Sequence, residues 1–406
     1  MKIGILREEK QPFDRRVVLS PEQCFQFLTQ YPEASIIVER SPHRCFTDGA
    51  YEKFKIQLVD TIRSEDADIL LGVKEVPISK LIPGKTYLFF SHTIKEQPYN
   101  QELLQNLVDK AITMIDYECL VDKTNTRIIG FGAFAGIVGA HHGLITYISK
   151  NKGQKIKQAN ECEDYNDLVT QYDAVVFPKN TKIIVTGRGR VAQGIMRLLN
   201  DLNIQKIDSE NFLNRKFDAP SYIQLTSSDY YYHSITEDFS YEDFKNNPHL
   251  YKSSLGKYLS EGDILLNGIF WNEKLPQFFD TSIVNTKNFN IDVISDISCD
   301  VKGSIPLTIR ESYIDSPVYS IDKATLKEVP NASSQTVEII AVSNMPCELP
   351  VDASISFGVT LINKILPEFF KEKSVVLEKA TICKNKILTP HFSHLTNYLN
   401  GFPEQR

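Results

Sequence analysis

Residues 182–208, KIIVTGRGRVAQGIMRLLNDLNIQKID, decide the fold. The apolar run Ile183 to Val185 reads as a buried strand and runs straight into Gly187-Arg188-Gly189-Arg190-Val191-Ala192, a GxGxxA spacing. Ile195, Leu198 and Leu199 then recur at helical intervals. In a strand, turn and helix of this kind, Gly187 permits the tight turn and Gly189 lets the backbone approach a pyrophosphate at the positive end of the helix. Ala192 allows the helix to lie close to the strand. The same letters could form a bare surface turn, but strand, turn and helix all fall in place, and dinucleotide binding by Gly187, Gly189, Arg190, Val191 and Ala192 is the expectation. Asp208 follows Gly187 by 21 residues, at the end of the run Ile204 to Ile207. A carboxylate there would accept hydrogen bonds from both ribose hydroxyls and repel a 2′-phosphate. The cofactor is therefore expected to be NAD or NADP, with Asp208 favouring NAD.

Working outward, short apolar runs alternate with helix-like stretches on both sides of this unit. Lys2 to Leu6, ASIIVER, DILLGV, TYLFFS and AITMID precede it, while DAVVFP, DILLNGIF and IDVISDIS belong to the same half as the glycine turn. Strands alternating with helices predict parallel sheets covered on both faces. The expected fold is α/β, with two Rossmann-like, doubly wound parallel-sheet domains and an interdomain cleft. A small-residue-rich helix over Gly130 to Ser149 suggests a boundary near residue 135, and the amphipathic tail from about Asp352 could pack back on the first domain. Residues 1–135 plus about 350–406 are thus read as a substrate domain and 136–349 as the dinucleotide domain. Glu210 to Leu259, rich in aromatics and charges without a period, reads as an excursion from the second sheet.

Composition narrows the class. The chain has 406 residues, enough for two cores, and 45 basic against 51 acidic residues give a net charge of −6. Without a clustered basic stretch, nucleic acid is not an expected partner. No apolar run of about 18 residues occurs, and the N-terminus turns charged by Arg7, so neither a membrane span nor a secretory segment is expected and the protein reads as cytoplasmic. Seven cysteines are scattered without a CxxC pair, which predicts buried thiols and no metal site.

A second constellation lies in the first half. Lys74 and Glu75 in LLGVKEVP and His92 in YLFFSHTIK follow apolar strands, so both would emerge at carboxyl ends of parallel strands, where α/β proteins bind ligands. Singly, each reads as a surface charge or a satisfied strand-end histidine. Together with Arg16, Glu118 and Arg127 they describe a pocket with two guanidinium forks for carboxylates and a lysine, a histidine and glutamates for proton transfer. His141 and His142 are adjacent on the linking helix, which suits packing rather than shared ligation.

The segments GVKEVPISKLIPGKTYLFFSHTIKEQ, MIDYECLVDKTNTRIIGFGAFAG, VTGRGRVAQG, DILLNGIFW, ISDISCDVKGSI and NMPCELPVDAS resemble, in this order, the L-lysine-forming saccharopine dehydrogenases. They are similar above all to the lysine-ketoglutarate reductase half of aminoadipic semialdehyde synthase, and more distantly to alanine dehydrogenase and the transhydrogenase α-subunit. The resemblance implies a nicotinamide-dependent oxidoreductase that interconverts saccharopine with lysine and 2-oxoglutarate. It also implies that Lys74 and His92 form the acid and base pair, tuned by Glu75 and Glu118. Arg16 and Arg127 would hold substrate carboxylates, and Asp300 would lie beside the nicotinamide ribose or the reacting centre. The expected partners are small amino acids and 2-oxo acids, and the sequence does not decide the oligomeric state. Two other readings stand beside this one: an alanine-dehydrogenase-like enzyme acting on a smaller primary amine, and an inactive nucleotide-binding regulator.

Overall fold

The computed structural model describes residues 1–11 and 14–401. The chain divides into two compact units, Met1–Phe131 with Pro350–Arg406, and Gly132–Leu349.

The first unit opens with β1 (Lys2–Ile5), β2 (Ser35–Glu39), β3 (Gln57–Val59), β4 (Ile69–Leu71), β5 (Thr86–Phe89) and β6 (Thr113–Asp116). After β1 the chain turns into the helix Pro21–Gln30, started by a capping box in which Ser20 and Gln23 satisfy each other's backbone, with proline in the first turn. The second unit supplies β7 (Lys182–Thr186), β8 (Gln205–Lys206), β9 (Ser221–Leu225), the pair β10 (Tyr231–His233) and β11 (Tyr251–Ser253), β12 (Ile264–Asn267), β13 (Val293–Asp296), β14 (Val318–Asp322), β15 (Glu328–Val329) and β16 (Thr336–Ile340). The chain then returns to the first unit with β17 (Thr381–Lys384) and β18 (Ile387–Leu388).

The first sheet has the order β18-β17-β6-β5-β4-β1-β2-β3, parallel from β3 to β6, with β17 and β18 antiparallel at one edge. Alternate residues of its strands face opposite ways. Ile3, Val38, Leu71, Leu88 and Ile115 pack with Phe27, Phe357 and Leu361, whereas Ile37, Leu70, Tyr87 and Met114 pack with Leu103, Leu107 and Leu395. Both faces are therefore covered, as a buried parallel sheet requires.

The second sheet has the order β15-β14-β16-β13-β12-β7-β9-β8, parallel except where β14 pairs with β15 and β16. One face packs Ile184, Ile223, Leu265, Ile294 and Ile339 against Phe212, Phe278 and Phe289. The helix Gly132–Lys152 covers the other face and crosses the helix Arg190–Asp201 at backbone contact. A Cβ on Gly136 would stand 1.9 Å from the Val191 carbonyl oxygen, and one on Gly194 1.9 Å from that of Ala133. Only glycine permits that approach.

Three expectations need correction. DAVVFP forms no strand. The sheets are mixed at their edges, because the short hairpins β14–β15 and β17–β18 add antiparallel partners. The stretch 210–259 is not wholly an excursion: Ser221–Leu225 within it is a sheet strand paired in parallel with β7 along its length. The departure from the sheet begins after Leu225.

Candidate active site

In the first unit the strand ends converge on one cluster. Beyond β4 the pairing continues, with the Gly72 N–H on Leu88 and the Phe90 N–H on Val73. The next two N–H groups are taken by a side chain: Glu8, from the loop after β1, accepts from Val73 at 2.6 Å and from Lys74 at 2.8 Å. Burial, and then the charge of Asp14, push the Glu8 carboxyl up to about 8, against the pull of these two N–H groups and of Arg16. Burial would also raise the Asp14 carboxyl, but the adjacent Arg16 guanidinium, aided by Lys74, holds it well below the usual carboxylate range.

His92 leaves the end of β5 in the left-handed backbone region, with φ of 53°, a conformation that costs a β-carbon-bearing residue about 1 kcal/mol or more. Its Nδ1 lies 2.7 Å from Oε1 of Glu75, whose other oxygen accepts from Lys10 Nζ at 2.8 Å. Although burial raises Glu75, the hydrogen bonds from His92 and Lys10 bring its carboxyl down to about 2. An ionised carboxylate can only accept, so Nδ1 carries the hydrogen and the neutral ring keeps its lone pair on Nε2.

Glu118 follows β6. Its Oε1 lies 3.5 Å from Arg127 Nη1 and 3.8 Å from Lys95 Nζ, while Oε2 is buried with no hydrogen-bond partner among the described residues. Arg127 lies over the Phe90 ring at 5.3 Å and is partly exposed. Lys74, Glu75, His92, Glu118 and Arg127 thus stand at the carboxyl ends of β4, β5 and β6 and in the loops that follow them.

Arg16 is placed differently from its expected role as an open carboxylate clamp. Its guanidinium is buried, bonded to Asp14 through Nε at 3.0 Å and Nη2 at 2.6 Å, and stacked on Phe131 at 4.1 Å. The two-residue spacing of the loop lets an internal acid reach the fork first.

In the second unit β7 leads into the glycine turn. Gly187 has φ of +99°, and a Cβ on it would meet the Gly268 carbonyl oxygen at 2.8 Å. Gly189 precedes the helix that begins at Arg190, and nothing lies within 4 Å of where its Cβ would stand. The turn thus borders open space at the helix start, which suits a diphosphate. Ala192 is fully buried at the strand contact, while Arg190 and Val191 lie in the first helical turn. Below the turn a closed polar network ties three strand ends together. Thr186 donates to Asn267, Asn267 to Asp296 and Ser304, and Thr308 to Asp296. Burial raises the Asp296 carboxyl, and its hydrogen bonds oppose that.

Asp208 does not occupy the position expected for it. It caps the short helix Ser209–Asn214, accepting from the Asn211 backbone and side-chain nitrogens at 2.8 and 2.7 Å. The strand before it, β8, is at the sheet edge, and β9 stands between β8 and β7. Asp300 belongs to the loop after β13, where its carbonyl closes a turn onto the Gly303 N–H. His141 and His142 are both buried and bonded. The ring nitrogens of His141 meet the Lys157 carbonyl and the Tyr172 hydroxyl, and His142 Nε2 lies 2.9 Å from both Glu348 oxygens. Burial, helped by the neighbouring His142, lowers His141 to about 3. Among the described residues no group of three or more histidine, cysteine or acidic side chains could hold a metal, and no helix is long and apolar enough to cross a membrane.

Residues 4–138 match the family described as alanine dehydrogenase/PNT, N-terminal domain. Over 444 residues the chain is 24% identical to the mitochondrial alpha-aminoadipic semialdehyde synthase of Mus musculus, a match covering 97% of this chain and 47% of that protein. The chain thus spans about half the length of that relative. It is also 24% identical to the saccharopine dehydrogenase [NAD(+), L-lysine-forming] of Emericella nidulans, over 92% of this chain and 94% of that one. Among solved structures, an L-alanine dehydrogenase superposes with a TM-score of 0.65 at 16% identity, covering 98% of this chain and all of the other. The chain is therefore similar over most of its length to the L-lysine-forming saccharopine dehydrogenases, similar over residues 4–138 to the alanine dehydrogenase/PNT N-terminal domain, and shares the two-sheet α/β fold of alanine dehydrogenase.

Proposed function

We propose that the chain is a nicotinamide-dependent oxidoreductase acting on CH–NH groups, which interconverts saccharopine with L-lysine and 2-oxoglutarate. The supporting observation is the proton-handling cluster of the first unit, where Glu75 fixes the His92 ring through Nδ1 beside the backbone that carries Lys74. A bound nicotinamide would supply or accept the hydride at the imine or amine carbon; the glycine turn at Gly187 and Gly189 is the part of this chain suited to hold its diphosphate.

In the condensing direction the substrate amine must lose a proton before it attacks the 2-oxo carbon. His92 Nε2 accepts it, and Glu75 stabilises the imidazolium that forms. Loss of water from the carbinolamine then needs a proton delivered to the departing hydroxyl, the role assigned to Lys74. In the reverse direction the same groups deprotonate the secondary amine and activate water. Arg127 and Glu118 frame the substrate end: the guanidinium takes a carboxylate, and the unpartnered Glu118 Oε2 accepts from the amine. Arg16 contributes a second fork on exchanging Asp14 for a substrate carboxylate.

The test is oxidation of reduced cofactor followed at 340 nm. Turnover is expected with lysine plus 2-oxoglutarate and not with pyruvate plus ammonium. The reverse preference would favour an alanine-dehydrogenase-like reaction, and no turnover with either would favour a regulator.

A further inference from the structure

Asp116 closes β6 level with Phe89, the last residue of β5, and its side chain is fully buried. Its two oxygens serve two different loops. Oδ2 accepts from the Ser91 backbone N–H at 2.9 Å and from the Ser91 hydroxyl, while Oδ1 accepts from the Glu118 N–H at 2.7 Å. Because the single hydroxyl hydrogen of Ser91 is directed to Asp116, its oxygen is left to accept. It takes the Thr93 N–H at 3.2 Å and the Thr93 hydroxyl at 2.8 Å. Burial raises the Asp116 carboxyl, the charge of Glu118 adds to that, and the bonds from Ser91 and Glu118 oppose both.

These bonds bear on the one strained residue of the cluster. His92 stands between Ser91 and Thr93 with φ of 53°, and a left-handed backbone at a residue with a β-carbon persists only where the surroundings over-determine it. Here both neighbours are buried and pinned, to one another and to Asp116, while His92 itself is only half-buried. On the other strand the same carboxylate caps the turn Tyr117–Cys119 by holding the Glu118 N–H. The side chains of His92 and Glu118 have separate partners, Glu75 and Arg127. Their backbones share one anchor, and it lies in the same unit as both.

We propose that Asp116 is a positioning residue of the candidate active site, which through Ser91 holds His92 in its left-handed loop and fixes Glu118 in step with it, so that the His92 ring meets Glu75 in one tautomer. The proposal rests on the reading of this cluster as the proton-handling site and names what keeps it in shape. Asparagine in place of Asp116 has one acceptor oxygen, so either the Ser91 N–H or the Glu118 N–H loses its partner. Ser91→Ala is milder, since it removes only the hydroxyl that reaches Thr93.

The test has two arms, both on the full chain. Side-chain ¹⁵N spectra of the eight histidines read the ring without turnover. The His92 signal, identified by its loss in His92→Gln, is expected to show the Nδ1–H tautomer alone. Asp116→Asn should turn it into an average of the two tautomers, and Ser91→Ala should move it part of the way. The second arm is turnover with lysine plus 2-oxoglutarate at 340 nm. Asp116→Asn is expected to lower kcat by about 10- to 100-fold, the cost of a misplaced catalytic group. Ser91→Ala should lower it by about 3- to 10-fold, the effect of one hydrogen bond. In the His92→Gln background each should cost less than about threefold more, because the ring they position is gone. Equal losses with and without the imidazole would assign Asp116 to the stability of the fold alone and overturn the proposal. So would a single Nδ1–H tautomer retained in both variants. If Asp116→Asn does not fold, Ser91→Ala decides by the same outcomes. Absence of turnover in the unaltered chain would overturn the proposed reaction and not the positioning, which the spectra decide.

Discussion

Nδ1 of His92 and Oε1 of Glu75 stand 2.7 Å apart, and the second oxygen of Glu75 is held by Lys10. Glu75 therefore fixes both the tautomer and the direction of the ring, leaving Nε2 to accept protons. Replacing His92 by Gln or Lys74 by Met should lower kcat by about 10²- to 10⁴-fold, with dinucleotide affinity unchanged. Glu75→Gln should lower it by about 10- to 100-fold, because the ring persists but loses its orienting carboxylate. Steady-state rates at 340 nm check all three, and normal turnover in the His92 and Lys74 variants would remove both from the mechanism.

Glu8 should make stability depend on pH in a defined direction. Its carboxyl titrates at an ordinary 4.5 when the chain is unfolded and at about 8 in the folded protein, so the native state binds more protons between these limits. Its contribution is complete below about 4.5 and is lost as pH rises through about 8. Tm should fall over that interval, and Glu8→Gln should flatten the fall. The groups facing it, Asp14, Arg16 and Lys74, are unaltered in the variant, so an equally steep profile would show that Glu8 is not the source.

His142 and Glu348 are at most 1% exposed and bonded to each other. Glu348→Leu leaves the imidazole buried without that hydrogen-bond partner and should cost about 1 to 3 kcal/mol in denaturant unfolding. A loss below about 1 kcal/mol would mean that the pair contributes little to the second unit.

The two glycines of the crossing helix and the turn should behave oppositely. Gly194→Ala drives a methyl into the Ala133 carbonyl and should cost about 2 to 3 kcal/mol. Gly189→Ala meets no atom within 4 Å and has an ordinary φ of −76°, so stability should move by less than about 0.5 kcal/mol. Dinucleotide affinity should nonetheless drop, because the methyl fills the space left for the diphosphate. Denaturation and cofactor titration on the same samples separate the two effects.

What could be read from the amino acids alone follows the range of the interactions. The glycine turn was legible because strand, turn and helix are contiguous, and Lys74, Glu75 and His92 were legible because residues just past apolar strands emerge at one sheet edge. Asp208 misled because the rule that places an acid about 20 residues after the first glycine assumes that the next strand pairs with the first. Here SYIQL intervenes, hidden among the tyrosines and charges of a stretch without a clear period. For Arg16 the guanidinium fork was legible but its partner was not, because nothing in the surrounding sequence says that Asp14 closes on it. Glu8 and the Asp296 network escaped notice because an acid in REEK reads as solvated and one in ISDIS as part of a strand. Only long-range pairing with Val73, or with Asn267 and Thr308, reveals them.

The left-handed backbone at His92 also governs how this position can be varied. Asparagine tolerates that conformation, so His92→Asn removes the imidazole while leaving the loop's path intact. Valine or isoleucine would force the loop to rearrange, and any deficit would then mix lost chemistry with lost shape. A library at this site should therefore sort by tolerance of positive φ before it sorts by proton affinity.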